Sequence, residues 1–208
     1  MGVREAYEQW AATYDSDRNL TRDLDQEITR RTLAGTRCAS ILELGCGTGK
    51  STAFLVQLGA HVHALDFSDA MLAQARAKLP GADVTFTVAD LTEPWPCADR
   101  SADLIVCNLV LEHIADLRFI FAEAFRCLEQ GGRMFVSELH PFKQYLGGQA
   151  VFQREEGPVS ILAHVHHISD FLDAAAHAGL RLAELREWWH ADDRNAPPRI
   201  VSFLFQKP

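Results

Sequence analysis

Residues 41–52, Ile-Leu-Glu-Leu-Gly-Cys-Gly-Thr-Gly-Lys-Ser-Thr, decide the architecture. A short apolar run, Ser40–Leu44, reads as a buried strand. It ends in three alternate glycines, Gly45, Gly47 and Gly49, and a polar stretch that opens a helical run to Leu58. The same rhythm continues downstream. Strands are predicted at 61–66, 84–89, 102–108 and 133–139. Between them lie a helix capped by Ser68 and stopped by Pro80-Gly81, and one that starts at Asp116 and ends at Gly131-Gly132. Strands alternating with helices imply βαβ units, a parallel sheet and right-handed crossovers. Two further strand-like runs, 180–189 and 200–205, are joined by a loop too short for a crossover and are expected to pair antiparallel. Upstream, residues 3–14 and 20–34 have helical periodicity. The expectation is one α/β domain over 1–208, doubly wound and seven-stranded, mostly parallel with an antiparallel C-terminal pair. A helical cap covers 1–35, and an irregular insertion at 140–167 is large enough to form a pocket or lid.

Composition narrows the function. The chain has 208 residues, of which 48% are hydrophobic and 23% charged, enough for a core without disulfides. A net charge of -8 repels phosphate backbones, so no nucleic-acid partner is expected. No run approaches a membrane span, and the first ten residues carry charges where a signal peptide is apolar. Ala6 stands where a myristoylation signal needs Ser or Thr. The five cysteines have no metal-binding spacing and read as reduced thiols of a cytoplasmic protein, monomer or homodimer.

Three ligands suit a glycine turn. A nucleoside triphosphate calls for G-x-x-x-x-G-K-[ST], but the first glycine would fall at Leu44. A dinucleotide calls for G-x-G-x-x-G; here the third glycine comes one residue early, and Glu43 is a poor neighbour for a pyrophosphate. S-adenosylmethionine has no phosphate and carries an ammonium and a sulfonium, which suit an acidic strand end. With Asp66 closing the second strand, Asp90 following the third and Asn108-Leu-Val-Leu-Glu-His113 following the fourth, the chain resembles the class I S-adenosylmethionine-dependent methyltransferases, specifically over 41–139 and more loosely over 170–206. The small-molecule type is meant, similar to the ubiquinone/menaquinone biosynthesis-like domain.

The resemblance implies a Rossmann-like fold with S-adenosylmethionine as cofactor. It places Asp66 on the ribose, Asp90 near the adenine amino group and Asn108 in the segment under the methionine. It assigns Glu43, Gly45, Cys46, Gly47 and Gly49 to the turn around the cofactor. Phe67, Met71 and Leu91 join them, and Tyr14, followed by Asp15, covers the methionine end. Each has a plainer reading: the glycines shape a turn, Asp66 caps a helix with Ser68, Asp90 serves a turn before Pro94, and Trp10 and Tyr14 are a helix's core face.

The methyl on sulfonium is already activated, so alignment matters most, and a base is needed only for a protonated acceptor. Acceptor residues are expected just after the fifth strand. His140, Tyr145 and His167 are the catalytic candidates, and alternation would put His164 and His166 on one side of a strand. No acidic or cysteine partner gives these histidines metal spacing, so no metal is assigned. Phe142, Tyr145 and Phe152 suggest a partly apolar small-molecule acceptor. The alternative is a non-catalytic S-adenosylmethionine-binding module.

Overall fold

Alternate residues of β1 (Ser40–Leu44) and β4 (Ala102–Asn108) enter two different cores, which is why both strands read as apolar runs. Leu42, Leu44, Ile105 and Cys107 face one side; Ile41, Leu104 and Val106 face the other. The computed structural model describes residues 2–59, 61–154, 157–193 and 196–208. Beside β1 and β4 lie β2 (His61–Asp66), β3 (Val84–Val88) and β5 (Leu128–Leu139), all in parallel register. β8 (Arg181–Trp188) and β9 (Ile200–Gln206) complete a seven-stranded sheet of order β3-β2-β1-β4-β5-β9-β8, with β9 antiparallel to both neighbours. The order reverses between β1 and β4, the switch point at which open α/β sheets bind ligands.

Helices α2 (Leu20–Leu33), α3 (Thr52–Leu55) and α4 (Asp69–Lys78) cover one face through Leu24, Ile28, Leu55 and Leu72. Helices α5 (Leu117–Cys127) and α7 (Ile168–Ala178) cover the other through Ile120, Phe121, Phe171 and Ala174. α1 (Val3–Trp10) lies across the carboxyl ends of the strands. Glu8 caps α4 by accepting from the Asp69 and Ala70 N–H groups at 2.9 and 3.2 Å, and Tyr7 Oη meets His113 Nε2, beyond β4, at 2.9 Å.

Four expectations differ from the structure. The first helix ends at Trp10 rather than residue 14, because the chain turns there: Trp10 Nε1 donates to Asp17 Oδ2 at 2.7 Å. α5 stops at Cys127, well before Gly131-Gly132. A register shift between Ala102 and Leu104 lets Leu128 pair with Ala102, and Lys207 Nζ satisfies the carbonyls of Phe125 and Leu128 at 2.6 and 2.7 Å. Residues 140–167 are more regular than expected, with α6 (Pro141–Tyr145) and a hairpin of β6 (Val151–Arg154) and β7 (Gly157–Ser160). His164, His166 and His167 lie outside any strand: the His164 N–H donates to Glu112 O at 2.6 Å and His166 Nε2 meets Ile114 O at 2.8 Å. Phe152 and Ile161 of the insertion join Ala6 and Trp10 of α1 in a small separate core.

Candidate functional site

The three glycines of the turn have positive φ, at +66°, +53° and +79° for Gly45, Gly47 and Gly49. A Cβ on Gly45 would stand 2.3 Å from Val110 Cγ2, and one on Gly49 would press on Ala75 of α4 at 3.1 Å. A Cβ on Gly47 would meet no described atom within 4 Å. Gly45 and Gly47 line a cavity of about 310 Å³ beside the turn, whereas Gly49 lets α4 pack closely against the turn.

Asp66 lies in that cavity, and its Oδ2 and Oδ1 accept the N–H groups of Gly47 and Ser68 at 2.8 and 2.9 Å. Burial lifts it to about 6. Asp66 thus shapes the turn as well as facing the cavity. Asp90 also lines it and accepts from the Thr92 N–H and hydroxyl at 2.9 and 2.7 Å. Phe67, Met71 and Leu91 supply apolar wall. Glu43 and Cys46 line only an adjoining space of about 60 Å³. Glu43 accepts from the Thr52 hydroxyl at 2.5 Å, and burial pushes it up to about 8, so it is largely protonated near neutrality.

Asn108 borders both spaces. Its Nδ2 donates to Asp25 and to Thr29 Oγ1, at 3.1 and 2.6 Å, while its Oδ1 is buried with no hydrogen-bond partner among the described residues. Arg22, 7% exposed, was not anticipated. Its guanidinium donates to the Tyr14 and Asp17 carbonyls, lies 4.1 Å over the Tyr14 ring, and meets no carboxylate within 4 Å among the described residues. The available sequence signal is Arg22, Asp25 and Thr29 at helical spacing beside the apolar Leu24 and Ile28. Asp15 ties the Tyr14 segment to the glycine turn through the Thr48 hydroxyl, at 2.8 Å, and Lys78, at 2.6 Å.

The loop after β4 is held under strain. Leu109 has φ +56°, its N–H donates to Ser137 O at 2.8 Å, and Glu138 Oε1 accepts from Val110 and Leu111 at 2.9 and 2.8 Å. A third cavity, again about 310 Å³, lies on the far side of this loop. Tyr14 and Leu109 line all three spaces. Tyr7 separates the first from the third and bonds His113, whose Nδ1 meets Leu162 O at 2.7 Å.

His140, Tyr145 and His167 line none of the three. His140, 1% exposed, caps α6 through the Phe142 N–H at 3.2 Å and pairs with Glu187 at 2.9 Å. Tyr145, 64% exposed, meets His167 at 3.2 Å. Among the described residues no group of three or more His, Cys, Asp or Glu side chains is placed to hold a metal.

A glycine turn at the switch point of a parallel sheet, with one aspartate closing β2 and another following β3 on the same cavity, defines a nucleoside-binding α/β protein. Comparison with known proteins narrows this. A methyltransferase-domain family model matches residues 42–136. The malonyl-[acyl-carrier protein] O-methyltransferase of Erwinia billingiae is 32% identical over 186 residues, 88% of this chain and 68% of that protein. The demethylmenaquinone methyltransferase of Clavibacter sepedonicus is 34% identical over 141 residues, 65% of this chain. This chain spans 57% of that relative's length. The crystal structure of an S-adenosylmethionine-dependent methyltransferase from Mesorhizobium loti shares the fold, with TM-score 0.75 at 22% identity, covering 90% of this chain and 100% of that one. The chain belongs to the class I S-adenosylmethionine-dependent methyltransferases.

Proposed function

We propose that the protein transfers a methyl group from S-adenosylmethionine to a small-molecule acceptor. The observation that carries the reading is that Tyr14 and Leu109 line all three cavities. A donor in the first two and an acceptor in the third would face each other there, and alignment is the main demand of the reaction. The cofactor supplies an activated methyl on positive sulfur; its bond to sulfur breaks with the pair left on sulfur as an acceptor lone pair bonds the carbon.

The chain's residues divide the work. Asp66 accepts the ribose hydroxyls. Asp90, with Phe67, Met71 and Leu91, takes the adenine end. Gly45 and Gly47 admit the ligand to the backbone, while Glu43, Cys46 and Gly49 build the turn from behind. Arg22 holds the amino-acid carboxylate, and Asn108 Oδ1 accepts from its ammonium. Tyr14 walls the reacting end. His140, Tyr145 and His167 act on the scaffold of the insertion and not at the methyl. The third cavity favours transfer over a non-catalytic binding module.

The reading includes no nucleic-acid partner, consistent with the charge of -8, and among the described residues no helix is long and apolar enough to cross a membrane. It places a monomer or homodimer in the cytoplasm. Calorimetric titration with S-adenosylmethionine and S-adenosylhomocysteine, with NADH and ATP as controls, tests it. Micromolar binding of the first pair alone is expected; absence of binding by folded protein overturns it.

A further inference from the structure

The third cavity differs in sign from the rest of the molecule. The chain carries -8 overall, yet Arg18, Arg22, Lys143 and Arg199 all line this one space. Their states differ. Arg199 is fixed by Asp193 at 2.7 Å and by Thr21 Oγ1 at 3.2 Å. Arg18, at the open rim and 81% exposed, meets Asp192 at 3.7 Å. Lys143, half-buried on α6, has no carboxylate within 4 Å among the described residues. Among the described residues Glu112 is the one carboxyl lining this space. Burial raises it to about 7, so it offsets the cations only in part near neutrality. Asp193, already paired with Arg199, feels the Lys143 charge from beyond ion-pair distance. A half-buried lysine lining a cavity, with no carboxylate in direct contact among the described residues, favours an anion there. The remaining wall combines apolar and aromatic side chains, among them Tyr7, Trp10, Leu139 and Ala150, with the polar Asn19, Thr21 and Gln149.

We propose that this cavity binds the methyl acceptor and selects a small organic acid, with the acid's carboxylate at Lys143 and its apolar body along Trp10 and Leu139. The inference rests on the methyltransferase reading above and adds the acceptor class. The volume of about 310 Å³ is at the small end for ligand sites, which fits a compact acid rather than a polymer. It also gives a role to the buried His140. By capping α6 and pairing with Glu187, His140 is a positioning residue that fixes the helix carrying Lys143.

The test uses the full chain saturated with S-adenosylhomocysteine. Benzoate, cinnamate, octanoate and succinate are titrated calorimetrically, each against its neutral amide. The expected result is that at least one acid binds tenfold or more tightly than its amide. Lys143→Gln then removes that preference and leaves S-adenosylhomocysteine affinity unchanged. Acids that bind no better than their amides, or a preference that survives in Lys143→Gln and in the Arg18→Gln/Lys143→Gln double variant, would overturn the acceptor class alone. Failure of S-adenosylhomocysteine itself to bind would overturn this inference together with the reading beneath it.

Discussion

Asp66→Asn separates the two tasks given to this carboxylate. An ionised carboxyl has about four acceptor sites. The N–H groups of Gly47 and Ser68 take part of that capacity, at 2.8 and 2.9 Å, and the Phe67 N–H also acts on the carboxyl, which leaves the remainder for ribose hydroxyls in the cavity. Asparagine keeps the volume but turns one oxygen into a donor and removes the charge. A hydrogen bond to a charged group contributes roughly 1.5–3 kcal/mol. Loss of one hydroxyl contact and weakening of the other should cost about 2–4 kcal/mol, or about 30- to 1,000-fold in affinity. Calorimetry with S-adenosylhomocysteine measures the total, and adenosine against 2′,3′-dideoxyadenosine isolates the ribose. The variant should lose adenosine affinity but bind the dideoxy analogue much as the wild type does. Equal losses for both would refute the ribose role and leave Asp66 as the shaper of the turn alone. Burial lifts Asp66 to about 6, so wild-type affinity should fall as pH drops through 6, when the proton takes an acceptor site. Asp25, also raised to about 6, titrates in the same range, and the part missing from the Asp66→Asn profile is due to Asp66.

Three further outcomes are expected. Gly45→Ala sets a Cβ 2.3 Å from Val110 Cγ2 at φ +66°, so S-adenosylhomocysteine affinity should fall tenfold or more; unchanged affinity would mean that the Val110 loop yields without consequence. Burial pushes Glu43, Glu112 and Glu138 up to about 8, 7 and 8, all above the unfolded value of roughly 4.3. Their protonated forms favour the fold, so that stability is present in full below the unfolded value and is lost as pH rises through the folded ones. The urea midpoint should therefore fall from pH 5.5 to 8.5, less steeply in Glu112→Gln, and a flat profile would contradict the burial. His140→Ala removes the cap of α6 and the pairing with Glu187, and should destabilise by about 1–2 kcal/mol in urea unfolding with S-adenosylhomocysteine affinity intact. Altered affinity would place His140 at the cofactor.

The central strands β1 and β4 were readable because burial on both faces leaves apolar runs, whereas the partly exposed β3 was readable from its alternation. Asp66 at the end of β2 and Asp90 after β3 were readable because strand ends in a parallel sheet converge on one place. Arg22 and Tyr7 were not, because they reach the site from helices whose spacing only indicates a packed face. The histidines were visible as a cluster but not as a geometry. His164 and His166 bond the backbone of the loop after β4 instead of pairing in a strand, and no periodicity encodes that contact. The α5–β5 boundary was missed because a β-bulge, not the glycine pair, sets it.

Arg22 also changes the part that Tyr14 can play. An aromatic face can stabilise a sulfonium, but one face of Tyr14 already carries the Arg22 guanidinium at 4.1 Å. That face is taken, so the ring serves chiefly as a wall. Through the carbonyls of Tyr14 and Asp17, Arg22 braces the segment leading to Arg18 and Asn19, which line the acceptor cavity. Arg22 borders that cavity and the cofactor's amino-acid end as well. A carboxylate arriving there from the cofactor would pair the buried cation and stiffen the segment that completes the acceptor wall. It would also remove the strongest competing attraction for an acid, leaving Lys143 as the cation with no carboxylate within 4 Å among the described residues. Cofactor binding should thus precede acceptor binding, and the acid preference at Lys143 should be sharper in the cofactor-loaded protein than in the empty one.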